Sequence, residues 1–141
     1  RKLLILAREL DLQNESEEIQ IQNLIPEALR EGSAADFLKR LSELDGIYQN
    51  IKDAQGQNEV LRYIGELSGD LQQDKGKLEV KLISVPANSA LGSLKGSDSI
   101  FEIYTESYGE QPIVIQGAGA GASVTARGVF GDILRLSEKK L

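Results

Sequence analysis

The sequence predicts an α+β fold in which helices pack on one face of a mainly antiparallel sheet. Three observations predict it. Apolar residues recur at spacings of four and three between Phe37 and Ile51, the signature of a helical stripe. Near residue 60 the apolar period changes to two, the signature of strands. The resulting order of elements, helix, helix, β-hairpin, two strands, helix, is that of an α+β layer.

Each element has its own local reason. Residues 2–12 read as a buried helix, with Leu3, Leu6, Ala7 and Leu10 at helical spacing and Ile5 on a second face. A Leu-rich run carrying Arg8 and Glu9 suits a helix better than a strand. Residues 13–32 are polar and irregular, and Pro26 restricts Ile25 to extended geometry. Ser33 and Asp36 then give an S-x-x-D start signal. Phe37, Leu41, Leu44, Tyr48 and Ile51 follow as one stripe of a single helix, with Gly46 inside it and Gly56 at its end. Core packing is the expected role of that stripe.

"VLRYIGEL" sets Leu61, Tyr63 and Gly65 against Arg62 and Ile64, and "KLEVKLISV" sets Leu78, Val80 and Leu82 against Glu79 and Lys81. The stretch "SGDLQQDKGK" between them is a turn by composition, so the pair reads as an antiparallel hairpin with one wet face. "IFEIYTE" (100–106) and "PIVIQ" (112–116) supply two more strands, the second apolar enough to be central. A last helix is expected from Arg127 or Gly128 to Leu141, clustering Phe130, Ile133, Leu134 and Leu136. Lys139 and Lys140 suit the negative end of its dipole.

Composition then bounds the chemistry. The chain has 141 residues, 40% of them apolar and 27% charged, enough for one domain with a real core. Its longest apolar run, residues 3–7, falls far short of the ~20 residues that span a bilayer, so no membrane partner is expected. No secretory leader pattern precedes the first amphipathic residues, and the absence of cysteine is compatible with the cytoplasm. Without cysteine or histidine there are no disulfides, no thiolate nucleophiles, no Ser-His pairs and few routes to a metal site. Proton transfer must fall to Lys, Asp, Glu or Tyr. A net charge of −6 without a basic stripe argues against nucleic acid. The chain contains no methionine and opens inside an apolar element, so it is expected to be a piece of something longer.

Gly117, Gly119 and Ala122 match the G-x-G-x-x-G/A dinucleotide pattern. That pattern works only when it opens a strand–helix–strand unit with an acidic residue ~20 positions further on. After Gly121 twenty residues remain, all read as helix, so an autonomous nucleotide site is excluded. Two readings stay open: tight strand-to-helix packing without a ligand, or a bare backbone that something approaches closely. Glu15, Glu17 and Glu18 are expected to be a solvated face, and Tyr104 and Tyr108 to pack on the sheet.

The two ends of the chain carry a resemblance. "QPIVIQGAGAGASVTARGVFGDILRL" closely resembles the C-terminus of homoserine dehydrogenases. "RKLLILAREL" resembles the helix after their D-x-G-x-D-x-x-x-K signature, most like the versions fused behind an aspartokinase. "VLRYIGEL", "KLEVKLISVP" and "LGSLKGSDSIFEIYTESYG" fall between them in the family's order. Asp98 and Ser99 depart from the family, which usually has asparagine just before an Ala-Ile pair.

The resemblance implies an enzyme that interconverts L-homoserine and L-aspartate 4-semialdehyde with NADP or NAD, on the route to threonine and methionine. It implies that Lys2, the last residue of the signature, handles the proton, and that Gly121 approaches the cofactor. The signature's aspartate would fall three residues before Arg1, and neither the Rossmann half nor the substrate-binding glutamate is present. Residues 1–116 would then be the substrate-binding and dimerisation portion, with the sheet of residues 60–116 meeting its copy across a two-fold. Residues 117–141 would be the turn and helix returning to the nucleotide-binding domain. The fragment alone is expected to bind no cofactor and to be inactive. A non-catalytic dimerisation or small-molecule-binding module is the alternative, and a regulatory amino-acid-binding domain is disfavoured because two β-α-β repeats are not visible.

Overall fold

A computed structural model describes residues 1–138, so Lys139 and Lys140 at the expected helix end lie outside the described residues. The chain forms two compact units, Arg1–Ala87 and a second from Asn88 onward. The α+β class holds, with two small sheets in place of one.

In the first unit, α1 (Lys2–Glu9) stops earlier than the apolar pattern suggested. Asp11 takes a left-handed φ of 59°, and the Leu12 amide reaches back to the Ala7 carbonyl at 3.0 Å. This is a Schellman stop with aspartate in the position that glycine usually fills, which is why sequence spacing overlooked it. Its reward is apolar: Leu12 turns back into the core and is only 1% exposed. There it joins Leu3, Ala7 and Leu78, with Ile19, Leu67 and Val80 packed around them.

The irregular stretch that follows is more ordered than its composition implied. β1 (Gln20–Ile21) adds in parallel to the edge of β3 (Lys77–Pro86), with Gln20 opposite Glu79 and Ile21 opposite Val80. The Gln22 side-chain carbonyl extends that ladder by accepting from the Leu82 amide at 2.8 Å. Two phenols hold the segment, as Tyr63 donates to the Gln22 carbonyl and Tyr48 to the Leu24 carbonyl.

The single helix expected after Ser33 is two. The capping box of Ser33 and Asp36 forms, but α2 (Ala34–Lys39) ends after two turns and α3 (Glu43–Asp53) starts afresh. Between them Leu41, Glu43, Leu44 and Asp45 bond to carbonyls three residues back, winding the chain more tightly than an α-helix. Arg40 fixes the break by gripping both oxygens of Glu43 while reaching the Ala28 carbonyl. The stripe is therefore split: Leu44 is buried, whereas Leu41 is exposed.

β2 (Glu59–Ser68) and β3 form the antiparallel hairpin in the expected faces. The cross-strand pairs Tyr63–Leu82, Gly65–Val80 and Leu67–Leu78 share one face, and α1 packs on β2. On the wet face Glu66 lies directly opposite Glu79, and Lys81 bridges the two carboxylates at 2.7 and 3.0 Å. Like charges so placed repel, and the ammonium between them offsets that repulsion.

In the second unit, β4 (Asp98–Ile103) and β5 (Ile113–Ala118) pair antiparallel as a two-stranded ribbon. The expectation that the second strand is central does not hold: β5 pairs with β4 alone and is exposed along its length. Its apolar residues mark faces that would need covering rather than faces covered in this chain. α4 (Ala122–Glu138) begins ahead of the expected Arg127, because Thr125 starts the helix by bonding Gly121 O through both its amide and its hydroxyl. No helix among the described residues is long and apolar enough to cross a membrane.

Candidate functional site

Lys2 is the first helical residue of α1, and its exposed side chain makes no hydrogen bond or ion pair among the described residues. The first turn contains no acidic residue.

The helix that carries Lys2 is held on the hairpin at both ends. At its N-terminal end Leu3 lies over Gly65 of β2. At its C-terminal end Leu12 lies over Gly76, and Asn14 clamps that same glycine. The Asn14 side chain donates to the Gly76 carbonyl and accepts from the Gly76 amide, each at 2.9 Å, although 62 positions separate them. Asn14 is 3% exposed, so both of its bonds replace water that cannot reach it. Gln13 adds a bond from its amide to the Asp74 carbonyl, and Lys75 pairs with Glu18. Sequence reasoning placed Gly65 on a face of the hairpin but gave neither it nor Asn14 a distant partner, since nothing in a local pattern pairs a residue with one so far away.

Gly121 lies in the second unit, between β5 and α4. The three glycines of its run differ in their surroundings. Gly117 has open space where a side chain would be. Gly119 cannot carry one, because a Cβ would lie 2.0 Å from Ser99 Oγ and 2.8 Å from Ser99 Cβ. Gly121 has a φ of +130°, which only glycine adopts without strain, and a Cβ there would meet nothing within 4 Å. The turn thus combines tight packing at one glycine with an open backbone at another. β5 runs into α4 and no strand follows among the described residues, so the turn does not open a strand–helix–strand unit.

The other polar candidates are accounted for structurally. Glu15 pairs with Arg8, Glu17 accepts from Ser16, and Glu18 is held below the usual carboxylate range first by its bond to Lys75. No group of acidic residues suited to a metal ion occurs among the described residues. Tyr104 and Tyr108 are exposed instead of packed on the sheet, and the Tyr104 hydroxyl bonds Glu102.

Comparison with known proteins places this architecture. A family profile for homoserine dehydrogenase matches residues 1–134. The chain is 41% identical to a homoserine dehydrogenase of Paracoccidioides brasiliensis, covering 99% of this chain and 37% of that protein. It is 44% identical to a bifunctional aspartokinase/homoserine dehydrogenase of Daucus carota, covering 97% of this chain and 15% of that protein. A crystal structure of a Candida auris protein described as of unknown function superposes with a TM-score of 0.76 at 38% identity, covering 97% of this chain and 38% of that one. The chain spans well under half the length of these relatives. With a profile match running from its first residue to Leu134 in α4, this chain belongs to the homoserine dehydrogenase family.

Proposed function

We propose that this chain is the substrate-binding and dimerisation portion, with the returning C-terminal helix, of an enzyme that interconverts L-homoserine and L-aspartate 4-semialdehyde. The family match over residues 1–134 carries the reading. Hydride transfer is the chemistry that NADP or NAD supplies when bound. Lys2 does the rest of the work at the carbonyl: in the reducing direction its ammonium stabilises the developing alkoxide and protonates it. In the oxidising direction the neutral amine takes the proton back. Gly121 lets the backbone approach the nucleotide without a side chain in the way. Residues 1–116 bind substrate and pair with a second copy, and the glycine turn and helix that follow return toward the nucleotide-binding domain. The apolar quartet of Phe101, Ile103, Ile113 and Ile115 on one face of the β4–β5 ribbon supports such pairing.

The test uses the full-length gene product and the isolated 141-residue chain side by side. The full-length protein should oxidise homoserine with NADP or NAD, and the isolated chain should not. Lys2→Ala should lower kcat by about 10²–10⁴-fold, the usual worth of a positioned proton-transfer group. A full-length protein without homoserine oxidation would leave the dimerisation or small-molecule-binding module as the reading.

A further inference from the structure

Gly65 lies in the interior of the ten-residue strand β2. Glycine there has no side chain to pack and weakens the strand, so its presence needs a reason. Backbone conformation is not the reason, because Gly65 is absent from the residues of positive φ. The reason lies above it. A Cβ built at this position would have Leu3 Cδ1 at 3.6 Å, Leu3 Cδ2 at 3.8 Å and Leu3 Cβ at 4.0 Å as its three nearest neighbours. Tyr63 and Leu67 stand on the same face two residues to either side, and Val80 stands directly opposite. The bare glycine is thus the floor of a dip, and Leu3 sits in it.

Leu3 is the neighbour of Lys2, and both belong to the first turn of α1. The far end of the helix is locked by Leu12 and Asn14 against Gly76. With one end clamped, the depth to which Leu3 sinks at Gly65 sets the height of the other end over the sheet. We infer that Gly65 is a positioning residue: the small size of residue 65, which leaves room for no more than a methyl under Leu3, sets the height at which α1 presents Lys2. The inference rests on the reading of Lys2 as the proton-handling group.

Sizes decide what substitution should do. An alanine Cβ falls at ordinary contact distance from Leu3, so it fits with little movement. A valine adds methyl groups about 1.5 Å further out, inside contact distance, and must lift Leu3. Displacing a catalytic group by about 1 Å is enough to cost about 10²-fold in rate.

The experiment compares Gly65→Ala, Gly65→Val, Leu3→Ala and the Leu3→Ala/Gly65→Val double variant in the full-length protein. It reads kcat, the KM for the nucleotide, Tm and hydrogen exchange of the α1 amides. Gly65→Ala should keep or raise Tm and should lower kcat far less than Gly65→Val does. Gly65→Val should lower kcat by about 10²-fold with the nucleotide KM unchanged. The double variant should recover most of that loss, since the room taken at one position is returned at the other. An unchanged kcat in Gly65→Val, or a loss that the double variant does not recover, overturns the inference. Should Gly65→Val not fold, Gly65→Ser, with one atom beyond Cβ, decides: kcat must fall while Tm holds, and a kcat that follows Tm overturns the inference. If the wild-type protein oxidises no homoserine, the dehydrogenase reading falls and exchange judges the seat by itself. Faster exchange confined to α1 then supports it, and uniform or absent change overturns it.

Discussion

The two units differ most in what they bury. Leu3, Ala7, Leu12, Leu29, Leu44 and Leu78, the buried apolar residues, all belong to the first unit. The second has none among the described residues, and Ile115 at 57% and Phe130 at 61% exposure are typical of its apolar side chains. A two-stranded ribbon is marginal by itself in water. The first unit therefore carries its own reason to fold, a small core under α1. The second has apolar patterning of equal quality but without equal burial. Apolar periodicity states which face wants cover, not where the cover comes from.

The comparison can be broken most severely in the core. Leu78→Ala should destabilise the first unit by about 2–5 kcal/mol, since it removes a 1%-exposed side chain at the centre of the cluster. Urea unfolding followed by hydrogen exchange would show protection lost in residues 1–87, and a loss below about 1 kcal/mol would contradict the core as described.

Next comes the tightest contact of the second unit. Gly119→Ala forces a methyl into Ser99 and should cost about 1–3 kcal/mol. Ser99→Gly in the same chain should return most of it, and a failure to do so would mean that Gly119 is needed for something other than room. The measurement is again exchange protection, now of β4 and β5.

Acid acts through the first unit's ion pairs. Lys77 first, then Lys81, holds Glu79 below its ordinary value of 4.5, and Lys75 does the same for Glu18. Folding thus favours their ionised forms, so this stability is present above pH 4.5 and is lost as pH falls through the folded values. Lys81 is raised, first by Glu66 and then by Glu79, so its share is present below its ordinary 10.5 and lost as pH climbs through the folded value. Tm should fall on acidification from pH 6 to about 3, less steeply in high salt, and a flat Tm would contradict the network.

The smallest expected effect sharpens the contrast. Ile115→Ala in the isolated chain should change stability by no more than about 0.5 kcal/mol, because the side chain is already exposed. In the full-length protein the same change should weaken self-association by sedimentation if the β4–β5 face meets a second copy. An identical association constant would remove that face from the interface.

How much was legible follows the range of each interaction. The Ser33–Asp36 capping box spans three residues and was readable as a motif, as were the two faces of the hairpin, whose period is built into the strand. The Schellman stop was hidden because aspartate, not glycine, occupies the left-handed position at residue 11. The break between α2 and α3 was hidden because it depends on Arg40 reaching Ala28, twelve positions away. β1 was hidden because two residues carry no period at all. At the candidate site, Lys2 and Gly121 were proposed from family resemblance, while the support beneath Lys2 was not visible by any route.

By itself, then, the sequence determined the α+β class, the hairpin and its faces, and the family. Those properties are local, or they repeat along the chain. Only the tertiary structure decided that Asn14 closes on Gly76, that Leu3 sinks onto Gly65, and that Ser99 leaves no room at residue 119. Each of these is a fit between residues far apart in the chain, and a fit exists only once both surfaces have been brought to contact distance.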